Sequence, residues 1–414
     1  MHSREREKRL TRFSRIHPYP AMIADELAIA LCREYVSEAS EVLDPFCGTS
    51  RTLLAAAEFG ATCVGIDVNP LAILLSTAKI ANVDLSLLQR LCAIKGLETQ
   101  PEAPLPLQSG RTVQWYPKKA VNEISSLIRW LNSNSVERGS LWVLAAILSA
   151  TVREASYCRK DQWKLHRMTA VQRRHHRPSV YAIFKRRLHS YLQEASAASQ
   201  LHGKCDFRLG DARELKESLE RYGLPTQYDV VITSPPYGDS KTTVSYGGMS
   251  SICLSAVQHL AGLPIGCLTE SVIERACLGG NLVKVGKRFN ERIRKYWATN
   301  NNNQEQLTRV AAYFEDLRKC CDQISGVIKP GGRVILVVAR RMVGGRRVRT
   351  DSFLTSEFRR RGFSLEKTYS RRIKNKNTPT TVDRNGAAPK KEHRSKRTST
   401  MRREIVLVFR NHSR

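Results

Sequence analysis

Short β-branched apolar runs, each stopped by a polar or Gly/Pro step, alternate with stretches of helical period along this 414-residue chain. The clearest run, 228–233 (YDVVIT), predicts a buried central strand. After Ser234 two prolines, unable to continue a ladder, force the chain out of the sheet as a stiff loop. Upstream, a strand beginning at Glu41 ends in a tight turn by Ser50 and leads into a helix from Arg51 to Phe59, closed by Gly60. A second strand over 62–66 stops at Asp67. Ile23, Leu27, Ala30 and Leu31 predict one face of a helix that runs to about Tyr35. From Leu71 to about Gln200 the pattern is mainly helical, and 141–152 reads as a core helix too short to span a bilayer. Phe207, Arg208 and Leu209 end another strand just before Asp211. An amphipathic helix over 307–327, a turn at Lys329-Pro330-Gly331-Gly332, a strand over 333–339 and a last strand over 404–409 complete the reading.

Strand, turn, helix and a second strand ending in an acid is the arrangement by which doubly wound α/β folds hold a nucleoside. The helix N-terminus receives negative charge and the acid, here Asp67, takes the ribose hydroxyls. A nicotinamide site is the main competitor, and the G-x-G-x-x-G fingerprint that supports one is missing. The loop Ser234-Pro235-Pro236-Tyr237 leaves the carboxyl edge of such a sheet, where ligands bind. A plain strand-to-loop turn accounts for it equally well. Its chemistry also suits methylation of an exocyclic amine on a base. Such an amine becomes nucleophilic only if acceptors hold its hydrogens, a task for Ser234 Oγ and the Pro235 carbonyl, with Tyr237 stacked on the base.

Charge adds a partner. The chain carries 68 Lys and Arg against 38 acids, a formal net charge of +30, which favours a polyanion over small acidic metabolites. Ribosomal association or a basic membrane-binding surface are the bland alternatives. Basic density rises after Arg153, through Lys164, Arg167, Arg173, Arg174, Arg186 and Arg187, with Tyr157, Trp163 and Tyr181 interleaved. It rises again in 340–414, where 23 Lys and Arg face 6 acids and Arg371, Arg372, Lys374 and Lys376 open a basic loop between two antiparallel strands. Solvated helix faces and a solubilising loop explain the same residues. Eleven scattered cysteines without a Cys-x-x-Cys pattern argue against disulfides and zinc, and the charged N-terminus has no apolar h-region, so a cytoplasmic protein without a metal is expected.

The loop SPPY resembles the motif of amino-group DNA methyltransferases of the N4-cytosine type, whose adenine counterparts usually carry Asp or Asn in place of Ser. The turn D-P-F-C-G-T-S-R resembles motif I of that family, usually D-P-F-x-G-x-G-T-T, with Ser50 at the second glycine and Arg51 at the first threonine. If that position needs positive φ, Ser50 bears a modest strain. HPYPAMI, from His17, resembles motif X, and Gly238 to Gly247 resembles the G-D-S-K-T-T-V-x-Y-G continuation of a subset. The matching stretches, roughly 15–80, 205–250 and 325–410, cover a little under half the chain.

The resemblance implies a Rossmann-like class I methyltransferase sheet of the α/β class, mainly parallel with an antiparallel last strand, plus a helical insertion. Its parts are 1–80 with motif X and half the cofactor site, 81–200 as the insertion and candidate DNA-recognition region, and 201–414 with the SPPY loop and basic hairpin. The implied cofactor is S-adenosylmethionine, held by Tyr19, Pro20, Asp44, Phe46, Gly48, Asp67 and Asp211; Asp211 accepts from the adenine amino group or else caps a helix. Ser234, Pro235, Pro236 and Tyr237 form the implied catalytic loop. The implied DNA contacts are Arg153, Lys164, Arg167, Lys241, Arg371, Arg372, Lys374 and Lys376. The partners are duplex DNA and a cognate restriction endonuclease. N6-adenine methylation, RNA guanine-N2 methylation and an inactive nucleic-acid-binding protein are the alternatives.

Overall fold

The computed structural model describes residues 17–20, 22–93, 113–134, 136–159, 165–195, 201–238, 246–265, 269–282, 286–297, 304–343, 346–373, 381–382, 398–399 and 403–412. Seven strands form one sheet: β1 (Glu41–Asp44), β2 (Thr62–Asp67), β3 (Lys204–Leu209), β4 (Tyr228–Thr233), β5 (Ile328–Val338), β6 (Phe363–Arg372) and β7 (Arg403–Asn411). Their order is β3-β2-β1-β4-β5-β7-β6. The pairs β2–β3, β1–β2, β1–β4 and β4–β5 are parallel, while β7 runs antiparallel to both β5 and β6. The Rossmann-like sheet expected from sequence is therefore present, with its reversed last strand wedged between two others. The sheet order changes direction between β1 and β4, and there the carboxyl ends open a crevice for a ligand.

Both faces of the sheet are covered, so its strands alternate between two apolar layers. Val42, Val230, Ile232, Ile335, Val337, Val406 and Val408 join one cluster with α1 (Asp25–Tyr35) and α2 (Arg51–Ala57). Leu43, Val231, Leu336, Leu407 and Phe409 point the other way, into a second cluster with the long helix Gln304–Gly326 and the helix Thr350–Arg360. The buried face of α1 is Ala28, Ile29, Leu31 and Cys32, and Ala30 is exposed. The expected face including Ala30 is thereby corrected: at about 100° per residue the buried face centres between Ala28 and Cys32, which puts Ala30 on the opposite side of the helix.

Gly60 ends the α2 segment with φ +86°, as a glycine at a helix C-terminus should. The Lys329-Pro330-Gly331-Gly332 step does not precede β5 as a turn. It lies inside β5 as a bulge, since Tyr228 pairs with Ile328 and Val230 already pairs with Arg333, and Gly331 takes φ +75° to allow it.

The helical insertion forms a third apolar cluster against α3 (Pro70–Ile80). Helices Lys118–Ser133, Arg138–Ala155 and Val180–Ala195 meet there with Leu71, Leu74, Leu75 and Ala78, and with the helix Tyr246–Val257. Arg138–Ala155 contains the expected core segment and buries every residue from Ser140 to Val152. Ile73 of α3 instead faces the sheet cluster, so α3 is apolar on two sides and sits between two cores. No single helix among the described residues is long and apolar enough to cross a membrane.

Candidate active site

An enclosed concave site lies at the carboxyl ends of β1, β2, β3 and β4. Tyr19, Pro20, Asp44, Phe46, Gly48, Asp67, Asp211, Ser234 and Pro236 all line it, joined by Met22, Arg51, Asn69, Tyr246 and Cys277. All seven residues expected to hold the cofactor are thus gathered in one cavity with two of the four loop residues.

Asp67 ends β2 and fixes the turn that follows β1. Its Oδ2 accepts from the Gly48 amide at 2.9 Å and its Oδ1 from the Asn69 amide at 2.8 Å. Burial pushes its carboxyl up to about 6, against these two stabilising hydrogen bonds. A carboxylate offers about four lone-pair positions, so the two unused ones suit a vicinal diol such as a ribose. Asn69 caps α3 through its side-chain oxygen, and its Nδ2 donates to the Tyr19 hydroxyl at 3.0 Å and to Ser250 Oγ at 2.9 Å. The motif X segment is thereby tied to the end of β2. Asp44 braces the other side: Thr233 Oγ1 donates to its Oδ1 at 2.5 Å and the Phe46 amide at 3.0 Å. Burial raises its carboxyl to about 7.

Ser50 is the one non-glycine residue with positive φ among the described residues, at φ 61° and ψ 27°. The left-handed conformation read from the motif departure is therefore adopted, at a cost of about 1 kcal/mol for a residue with a Cβ. Ser50 Oγ donates to Ser76 Oγ at 2.6 Å, and Ser76 Oγ donates to the Gly48 carbonyl at 2.9 Å. Arg51 has a matching use: it pairs with Asp25 at 3.0 Å and donates to the Ile23 carbonyl at 3.2 Å, so the second departure clamps the segment before α1. Both Ser50→Gly and Ser50→Ala lose the bond to Ser76, and only the first relieves the backbone. Urea denaturation is expected to find Ser50→Gly the more stable of the two by about 1 kcal/mol; equal stabilities would mean that the turn stores no strain.

The SPPY loop is held from three sides. Ser234 Oγ lies 3.1 Å from the Val337 carbonyl and 3.3 Å from the Tyr237 hydroxyl, and the Tyr237 hydroxyl donates to Glu404 Oε1 at 3.2 Å. The Tyr313 hydroxyl donates to the Pro236 carbonyl at 2.8 Å. Pro235 is buried, and Tyr237 is half-buried with its hydroxyl turned to β7. Asp211 caps the turn after β3 by accepting from the Arg213 amide at 2.8 Å, and it is gripped by the Arg213 guanidinium at 2.6 Å. Arg213 also pairs with Asp316 at 2.9 Å.

Of the expected DNA contacts, Arg153, Arg167, Arg371 and Arg372 are described. Arg153 lies half-buried beside His17, whose imidazole is pushed down to about 3 by burial, with Arg153 and Arg187 adding to the effect. Arg167 sits over Trp115 and Tyr157 with centroid distances of 5.9 and 5.6 Å, and Arg173 over Tyr157 at 5.9 Å, an aromatic and cationic surface on the insertion. Arg186 and Arg187 are both paired with Glu154. Arg371 pairs with Glu404, while Arg372 is exposed. Lys164, Lys241, Lys374 and Lys376 lie outside the described residues. Sequence reasoning missed Asn69, Tyr246, Arg213, Tyr313 and Glu404 as members of the site. Glu404, an acid at the head of an apolar strand, carried a signal; Tyr313, inside an amphipathic helix, carried none.

A DNA methylase family matches residues 1–77 of the chain. The Type II methyltransferase M.MvaI of Kocuria varians is 27% identical over 428 residues, which cover 96% of this chain and 91% of that protein. The Type II methyltransferase M.BsoBI of Geobacillus stearothermophilus is 21% identical over 406 residues, covering 85% and 79%. A SAM-dependent methyltransferase structure from Methanosarcina mazei aligns with a TM-score of 0.32 at 10% identity, over 95% of this chain and 98% of that one. The sheet order and the cavity at its switch point are those of a Rossmann-like class I methyltransferase fold, for which S-adenosylmethionine is the expected methyl donor. Within that class the matches support an amino-group DNA methyltransferase, as the motifs predict.

Proposed function

We propose that the protein methylates the N4 amine of cytosine within a specific duplex DNA sequence, as the modification partner of a restriction endonuclease. The observation that carries this reading is Ser234, a hydroxyl at the end of β4 that lines the same cavity as Asp67. A serine supplies the acceptor for an amine hydrogen where an adenine-directed loop of this family usually has Asp or Asn. The names of the two Type II relatives support DNA as substrate and a restriction-modification setting.

The donor set fits the cofactor: Asp67 keeps lone pairs for the ribose, and Tyr19, Phe46 and Gly48 line the same cavity. S-adenosylmethionine, when bound, supplies a methyl group on a sulfonium, which leaves as a thioether. The chain's own part is to bind, orient and accept. The target base is flipped out of the duplex to reach the loop. Ser234 Oγ and the Pro235 carbonyl hold the amine hydrogens, so the nitrogen lone pair is released from the ring as the N–C bond forms. The nitrogen then gives up one proton, which passes to solvent water. Holding the amine in line accounts for the rate without a covalent enzyme intermediate. Arg167, Arg173 and the basic residues that follow Arg372 in sequence serve the phosphate backbone.

The test is tritium transfer from labelled S-adenosylmethionine to unmethylated duplex DNA, followed by digestion and nucleoside separation. Label in N4-methylcytosine is expected. Label in N6-methyladenine overturns the base, label only in RNA overturns the substrate, and silence on both leaves an inactive binding protein.

A further inference from the structure

Glu404 is an acid with 7% of its surface exposed, at the start of a strand whose following residues Val406, Leu407, Val408 and Phe409 are core. A buried carboxylate is costly unless its oxygens are used. Its Oε2 accepts from Arg371 Nε at 2.7 Å, and the two residues face each other in the register of β7 and β6. Cross-strand pairing explains that oxygen. It does not explain the other, which receives the Tyr237 hydroxyl from the loop after β4.

The use of that second oxygen follows from counting protons. Ser234 and Tyr237 each carry one hydroxyl proton and two lone pairs. The Val337 carbonyl and the Glu404 carboxylate accept only, so they take the Ser234 and Tyr237 protons respectively. The Tyr237 proton then does not point at Ser234, whose own proton is shared between the Val337 carbonyl and the Tyr237 oxygen, and Ser234 Oγ keeps its lone pairs for the cavity. Burial and the adjacent carboxylate also push the Tyr237 phenol up, so it keeps its proton to donate.

Resting on the amine-methylation reading above, we infer that Glu404 is a positioning residue that draws the Tyr237 proton away from Ser234, so that Ser234 Oγ meets the amine as an acceptor. Arg371 fixes the carboxylate in that direction. In Glu404→Gln the amide NH2 can donate to the Tyr237 oxygen and turn its proton onto Ser234. One of the two Ser234 lone pairs that should serve the amine is then already occupied. In Glu404→Asp the charge remains on a shorter arm.

The experiment is a cycle of Glu404→Gln and Tyr237→Phe, read by single-turnover tritium transfer to unmethylated duplex DNA, with Glu404→Asp, thermal midpoint and S-adenosylmethionine Kd measured alongside. Glu404→Gln is expected to slow transfer about tenfold, the scale of one hydrogen bond, with cofactor Kd within about twofold of wild type. In the Tyr237→Phe background the same change is expected to cost less than about twofold, because its only route to Ser234 is gone. Glu404→Asp is expected to recover part of the rate. An unchanged rate in Glu404→Gln, or an equal loss with and without the Tyr237 hydroxyl, overturns the inference, the second by making Glu404 a brace of the sheet. A drop in thermal midpoint that Glu404→Asp shares, without recovery of rate, also overturns it. Wild-type protein that binds S-adenosylmethionine but labels no DNA overturns the parent reading, and the inference falls with it.

Discussion

Ser234→Ala is expected to slow methyl transfer to DNA by about a hundredfold, the scale of losing one preorganised hydrogen-bonding group at a reacting centre. The reason lies in what the amine needs. Its lone pair is delocalised into the ring until acceptors hold its hydrogens, and removing Ser234 Oγ removes one of the two acceptors proposed. The alanine has no part in holding the cofactor, so the S-adenosylmethionine Kd is expected to stay within about twofold. The loss should fall on kcat and kcat/KM together, the signature of an interaction made in the transition state. The change also leaves the Val337 carbonyl without its donor, at a stability cost of about 1 kcal/mol. Single-turnover transfer with saturating cofactor separates these effects. A variant as fast as wild type would remove Ser234 from the reaction.

The other large effect belongs to Asp67. Asp67→Asn is expected to weaken S-adenosylmethionine binding by about a hundredfold, since hydrogen bonds to a charged acceptor are worth about 1.5–3 kcal/mol. The loss has two sources. An amide has one acceptor oxygen where the carboxylate has two, so one of the backbone amides of Gly48 and Asn69 loses its partner as well. The carboxyl titrates at about 6 because burial raises it, so it is ionised above that pH and protonated below. Diol binding draws on the ionised form. Wild-type affinity is therefore expected to be flat above about pH 7 and to fall toward tenfold per unit below pH 6, while Asp67→Asn loses that slope. Calorimetric titration across pH 5–8 reads both, and a variant with the wild-type pH profile would assign the slope to another group, Asp44 first, whose carboxyl is raised to about 7.

Sequence showed the site where local chemistry is dense. The strand over 228–233, its exit through two prolines and the acid closing β2 could be read because each is a contiguous pattern with one physical meaning. Even the departure at Ser50 was informative, as the left-handed backbone it adopts shows. What stayed hidden were the groups that hold the site from elsewhere in the chain. Tyr313 reaches the Pro236 carbonyl from 77 residues away, and Glu404 reaches Tyr237 from 167. Nothing local names the partner of such residues, even where an acid heading an apolar strand marks Glu404 as unusual, because only the sheet order brings them together. The basic runs show the same division: charge density is visible in sequence, while pairing is not. Arg186, Arg187 and Arg371 each have an acidic partner in the fold, which counting could not reveal.

The position of α3 between two cores has a consequence for how the chain comes to be folded. During synthesis β1 and β2 emerge early, but β3 and β4, which must lie beside them, follow only after the whole insertion has been made. Pairings this distant in sequence close slowly. In that interval the outer side of α3, with Leu71, Leu74, Leu75 and Ala78, already has partners emerging in Lys118–Ser133, Arg138–Ala155 and Val180–Ala195. The insertion thus shelters apolar surface while the sheet waits for its centre strand, and the cofactor turn after β1 acquires its final walls only when β4 arrives.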